Sequence, residues 1–150
     1  MSGDFTQSML SKCFPFFIAV DKQWNIVEMG PSLERTMGGE ALARKLNAYF
    51  SVSGDSSLDI VSFFEKYSKG LVFLEKISDQ LRFRGQIFLK DDEEVLYFLQ
   101  APIISDLKML ENKGILFTDF AMTDPVLVYL IMVQSHKELL DKSVLSTIVL

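Results

Sequence analysis

The chain has 150 residues, and its 15 lysines and arginines against 20 aspartates and glutamates give a net charge of −5. This length predicts one globular domain with short extensions, and a hydrophobic content of 49% with 13 phenylalanines can fill a sizeable core. The acidic balance disfavours nucleic acid and anionic membrane surfaces as partners, because both carry negative charge.

The compartment and the absence of a membrane span are also predicted from simple features. The longest wholly apolar run, residues 126–133, is far shorter than a bilayer-spanning helix. Cys13 is the single cysteine, so it has no intrachain disulfide partner. The first residues lack the basic and apolar segments of a secretion signal, and we therefore expect a cytoplasmic protein.

The N-terminal third predicts a helix followed by a hairpin. Phe5, Met9 and Cys13 are spaced four apart and share one face of a helix over residues 1–13, which a following proline ends. Two β-rich runs, residues 16–20 and 25–29, flank a polar turn and predict antiparallel strands.

The middle of the chain changes its pattern twice. Residues 32–69 have apolar side chains at helical spacing, interrupted by glycine and serine, and this predicts several short helices. Residues 71–74, 81–89 and 95–99 then predict three strands that are sequential antiparallel neighbours. The second of these strands alternates apolar and polar residues, as expected for a strand with one buried face.

The C-terminal segment predicts a long helix over residues 126–142, because no glycine or proline interrupts it. Asp124 is the expected N-cap residue, and Pro125 suits the first helical position. The element order implies an α+β fold with a five-stranded antiparallel sheet, short helices on one face, an N-terminal helix and a long C-terminal helix.

No residue pattern indicates catalysis, a cofactor or a metal site. His136 is the single histidine and lies inside the predicted helix, so a nucleophile would lack a nearby base. One histidine and one cysteine are too few for a zinc site, and phosphate-loop motifs are absent. We interpret the acidic residues 91–94 as a solvated turn between strands. The aromatic strand residues are interpreted as core, with a small-molecule cavity as the alternative.

Four segments together carry a resemblance to a known family: FPFFIAVD (residues 14–21), LRFRGQ (81–86), LYFLQAP (96–102) and GILFTDF (114–120). In this order they resemble the H-NOX-associated domain, a PAS-like module of soluble guanylyl cyclases and bacterial signalling histidine kinases. The likeness covers residues 14–130. The family usually carries His-Asp where this chain has Thr123 and Asp124, so a role that needs the imidazole is not carried over.

The resemblance implies a PAS-like fold and a non-catalytic module that dimerises and relays the state of a haem-bearing H-NOX partner to a downstream domain. We expect a PAS-like domain at residues 14–123, an N-terminal helix at 1–13 and a signalling helix and linker at 124–150. About a dozen residues precede the PAS-like segment. This favours a histidine kinase, served by a separate H-NOX protein, over a guanylyl cyclase as the parent.

The C-terminal helix offers a candidate dimer seam. Its members follow four- and three-residue steps with only Lys137 interrupting: Val126, Leu130, Val133, Leu140 and Val144. Phe5 and Met9 of the N-terminal helix are the other candidate interface residues. In the alternative interpretation, the C-terminal helix covers the sheet of its own protomer. The alternative function is a PAS sensor that holds a small ligand between sheet and helices near residues 58–64.

Overall fold

The computed structural model describes residues 2–90, 92 and 94–149, with side chains described except those of residues 2–6, 127 and 141–149. Asp91 and Glu93 of the expected acidic turn therefore lie outside the described residues, as does the side chain of Phe5. The elements in chain order are α1 (Ser2–Cys13), β1 (Ile18–Val20), β2 (Ile26–Met29), α2 (Pro31–Met37), β3 (Phe50–Val52), α3 (Ile60–Tyr67), β4 (Val72–Lys76), β5 (Arg82–Leu89), β6 (Leu96–Pro102), α4 (Leu107–Asn112) and α5 (Val126–Val149).

Six strands of the described chain form one antiparallel sheet in the order β2-β1-β6-β5-β4-β3. The expected α+β class, the β1–β2 hairpin and the sequential neighbours β4, β5 and β6 are confirmed. The expected count of five strands was wrong. The sixth strand, β3, pairs Phe50 with Lys76 at the edge of the sheet. Strand β3 was missed because its three residues are too few to show the alternation of a strand in the sequence. The segment is a strand because it pairs with β4.

The helices also differ from the expectation in two places. Helix α4 was not predicted, although Asp106 caps it by accepting a hydrogen bond from the Met109 backbone N–H at 2.8 Å. Leu110 is the buried residue of this short helix. Helix α5 continues to Val149 rather than ending near residue 142.

The core lies between the inner face of the sheet and the short helices. On β5, Phe83 and Ile87 are buried while Arg82 and Arg84 are exposed, which is the alternation expected of a strand with one buried face. Helix α3 packs on this strand and places Phe63 at 0% exposure. Burying an aromatic side chain stabilises the fold by about 1.5–3 kcal/mol, so this layer contributes strongly to stability.

Candidate functional site: the base of the C-terminal helix

Helix α5 begins close to the body of the domain. The Asp124 carboxylate Oδ1 accepts a hydrogen bond from the Val126 backbone N–H at 3.0 Å, the kind of contact that a capping side chain makes at a helix start. Leu130 is 1% exposed and belongs to the same core cluster as Leu110 of α4. The first turns of α5 are therefore anchored to the domain.

The predicted dimer seam does not lie on one free face. Leu130 is buried within its own protomer, and Val126 and Val133 are half-buried. Leu140 and Met9 are 53% and 52% exposed. Leu130 and Val126 thus pack against the domain, and Val133 is partly covered. The side chain of Val144 lies outside the described residues. Spacing identifies an apolar stripe, but it does not tell whether a partner or the protomer itself covers that stripe.

A second apolar stripe on α5 faces solvent. Its members are each more than half exposed: Val128, Tyr129, Ile131, Met132, Leu139 and Leu140. Met132 lies two residues after Leu130, so the two side chains point about 200° apart on the helix. Leu139 follows Met132 by seven residues and shares its face. Helix α5 therefore has one apolar stripe against the domain and another without cover in the protomer.

A buried carboxylate holds the loop that leads into α5. Asp119 lies in a short 3₁₀ turn, Phe117–Asp119, and is 5% exposed. Its Oδ1 accepts a hydrogen bond from Arg35 Nε at 2.8 Å, and its Oδ2 accepts one from the Leu116 backbone N–H at 2.7 Å. A second guanidinium nitrogen of Arg35 contacts the same Oδ2. We call Arg35 and Asp119 together the clamp.

The clamp joins helix α2 to the segment before α5 at further points. Arg35 Nη2 donates to the Gly114 carbonyl at 2.9 Å, and the Ser32 hydroxyl donates to the Asp119 carbonyl at 2.5 Å. The Arg35 side chain is 42% exposed, whereas that of Asp119 is 6% exposed. The hydrogen bond to Asp119 raises the pKa of Arg35, so the guanidinium stays charged. Charge-assisted hydrogen bonds of this kind fix geometry strongly.

The clamp could not be predicted from the sequence. Arg35 and Asp119 are 84 residues apart, and neither stands in a motif that indicates a salt bridge. Only the fold brings α2 against the segment before α5. The one available signal was the charged Asp119 within a mostly apolar segment, residues 114–120.

In the alternative function, a small ligand is expected between the sheet and the helices near residues 58–64. This region is packed with aromatic side chains. Trp24 contacts Phe63 edge-on, with ring centroids 5.1 Å apart, and its indole N–H donates to the Leu58 carbonyl at 3.0 Å. Phe63 also contacts Phe98, with centroids 6.3 Å apart. A cleft of about 170 Å³ remains beside Trp24, lined also by Lys45.

The remaining titratable residues noted in the sequence are at the surface. His136 lies on the exposed part of α5, and Cys13 is exposed at the end of α1. The described residues contain no cluster of three or more histidine, cysteine, aspartate or glutamate side chains that could hold a metal ion. None of the helices in the described part of the chain has both the length and the apolar character of a membrane span.

Comparison with known proteins identifies the family. No curated protein matches this chain. Among solved structures, the chain is similar to the PAS domain of an HTR-like protein from Haloarcula marismortui, with 15% sequence identity, a TM-score of 0.42, and coverage of 68% of this chain and 95% of that chain. The family described as "Heme NO binding associated" matches residues 56–143. The matched segment covers more than half of this chain, and the chain therefore belongs to the Heme NO binding associated family.

Proposed function

We propose that this protein is a non-catalytic, cytoplasmic signalling module that forms a homodimer and relays the state of a haem-bearing H-NOX partner to a downstream output domain. The output domain we favour is that of a histidine kinase, with a guanylyl cyclase as the second choice. The observation that carries the proposal is the uncovered apolar stripe on α5.

The stripe supports dimerisation because a helix with apolar residues on both sides is normally buried on both sides. Helix α5 has 24 residues and is therefore about 36 Å long. Among its described side chains, Leu130 alone is buried in the protomer. Contiguous exposed apolar patches on proteins mark interaction sites, and a second copy of α5 presents the same stripe.

The clamp supports a relay role. It connects α2 with the loop that starts α5, through a buried carboxylate and several directed hydrogen bonds. A displacement of α2 by a bound partner changes the free energy of the clamp, and this in turn favours one of two orientations of α5. A bound partner can transfer a signal only if its interaction free energy differs between the two orientations of α5.

The family supports the choice of partner. Its description names association with haem NO binding, which fits an H-NOX protein or domain as the source of the signal. An output domain attached to α5 would sense a change in helix geometry, since rigid-body helix shifts at a dimer interface are a common way to transmit signals.

The test is the solution mass of the purified chain, measured by light scattering over a range of micromolar concentrations. We expect a dimer. Met132→Glu should convert the chain to a monomer, because it places a charge on the exposed stripe without touching the core. Lys137→Gln is the matched control: it makes the same charge change of −1 on the same helix, at an exposed position away from the stripe. A chain that stays monomeric at all concentrations would refute the proposal.

An absorption and mass spectrum of the same sample tests the alternative sensor function. A colourless dimer without bound mass supports the relay. A coloured species, or a monomer that retains a small molecule, would instead make this domain a ligand-binding sensor.

A further inference from the structure

A large cleft lies where both terminal helices meet the domain. It has a volume of about 580 Å³ and is formed by the last turn of α1, the start of α2 and the segment before α5. Its apolar walls include Pro15, Pro31, Phe120 and Ala121. The cleft is therefore a hydrophobic opening at the base of the two helices that flank the domain.

Met122 stands at the rim of this cleft but does not fill it. Its side chain is completely exposed, with a relative exposure of 103%. The flexible thioether side chain of methionine adapts to irregular cavities and is common at binding surfaces, so Met122 beside this cleft is a candidate contact residue. One surface of the protein thus presents both a protruding side chain and a cavity able to accept one.

We propose that the cleft accepts Met122 of a second copy of this chain, and that two such insertions form reciprocally in the dimer. In an interface with two-fold symmetry each contact occurs twice, so a protruding group and its cavity on the same patch complement each other without a third protein. This inference rests on the proposed dimer and names contacts that complete it.

Two further features favour a second copy as the occupant. Met122 precedes the first residue of α5 by four positions, so the insertion would lie at the base of the helix that carries the exposed stripe. The charges also complement each other. Lys12 is exposed and lines the cleft, and Asp124 follows Met122 by two residues. Inserting the partner's Met122 brings the partner's Asp124 towards Lys12.

The first experiment measures the dimer dissociation constant by analytical ultracentrifugation. Met122→Glu should raise this constant at least tenfold, because the cleft would have to accept a charge. Met122→Leu is the control and should leave it within about threefold, since leucine keeps the apolar contact. Both variants should keep the thermal midpoint of unfolding at low protein concentration, because Met122 is outside the core. An unchanged dissociation constant for Met122→Glu would overturn the inference.

The second experiment tests the contact directly with mixed protomers. A chain carrying Met122→Cys and Cys13→Ser is mixed with a larger tagged chain that has native Cys13 and Met122, and the mixture is mildly oxidised. Cys13 lines the same cleft. A disulfide-linked heterodimer is expected because the thiol at position 122 enters the cleft of the partner. A chain carrying Ser56→Cys and Cys13→Ser, whose thiol stands at an exposed position outside the cleft, is mixed with the same tagged chain to give the background. A yield no higher than that background would overturn the inference.

The two proposals fail in distinguishable ways. If the native chain dimerises and Met132→Glu breaks the dimer while Met122→Glu does not, the α5 interface stands and the cleft is not part of it. If the native chain is a monomer at every concentration, the proposed dimer itself fails and this inference fails with it.

Discussion

Replacing Arg35 by alanine should destabilise the protein more than its partly exposed position suggests. Arg35 is 42% exposed at its side chain, and a surface ion pair usually contributes less than about 1 kcal/mol. The partner, however, is a carboxylate whose side chain is 6% exposed. Removing the arginine leaves this carboxylate buried without its neutralising charge, which is the costly way to break an ion pair.

The magnitude follows from the contacts that each substitution removes. Arg35→Ala removes two charge-assisted hydrogen bonds to Asp119 and one to the Gly114 carbonyl. We expect a loss of about 2–3 kcal/mol in the free energy of unfolding. This loss is smaller than that for breaking a fully buried ion pair, because water reaches Arg35. Asp119→Ala should cost about 2 kcal/mol, since the freed guanidinium can hydrate but the Leu116 N–H loses its acceptor.

The assay is urea denaturation of the two single variants and of the double variant. The double variant should be less destabilised than the sum of the single variants by about 1–2 kcal/mol, because the buried carboxylate and its cation disappear together. Arg35→Ala should also lower the thermal midpoint by about 4–12 °C at this chain length. Additivity within about 0.5 kcal/mol would refute the argument that Arg35 and Asp119 act as a coupled pair.

Three further predictions concern the core and the sheet. Leu130→Ala should lower the free energy of unfolding by about 2–5 kcal/mol in urea titrations, because Leu130 is 1% exposed; a loss below about 1 kcal/mol would mean that α5 is not anchored there. Gly85→Ala should reduce the thermal midpoint sharply, since a Cβ would lie 2.2 Å from the Leu99 carbonyl oxygen, whereas Gly70→Ala, which faces open space, should have little effect. Tyr97 should ionise above its ordinary pKa of 10.0, first because of burial and then because of nearby carboxylates. This raised folded-state pKa gives a contribution to stability that is complete below pH 10.0 and is lost as the pH rises through the folded-state value. Phenolate absorbance during alkaline titration, compared with Tyr97→Phe, should show a late transition, and one at or below pH 10.0 would contradict the burial argument.

In the proposed function, helix α5 has both a structural and a signalling role. Its first turns are anchored through Leu130, and its opposite side exposes apolar residues such as Met132. The same segment therefore anchors to the domain and leaves an apolar surface exposed, on which the proposed dimer depends. In the proposed dimer, a change in the interface would be transmitted to the domain and a change in the domain to the interface, because binding free energies are coupled reciprocally.

Local patterns in the sequence were sufficient for most of the elements. The alternation along β5, the capping aspartate before α5 and the glycine and serine breaks between residues 32 and 69 each depend on contacts between near neighbours in the chain. These same patterns led to the α+β class. Short elements were missed: β3 has three residues and α4 has six, so neither extends over enough turns or alternations to show a period.

The sequence by itself determined which of the longer segments form strands and helices, and it identified α5 as apolar on several sides. The tertiary structure decided which of those sides faces the domain, because burial of Leu130 depends on where α4 lies. It also decided that Arg35 meets Asp119 across 84 residues and that Met122 stands beside an apolar cleft. Periodicity is a property of one segment, whereas burial and ion pairing depend on distances between segments, and only the folded chain sets those distances.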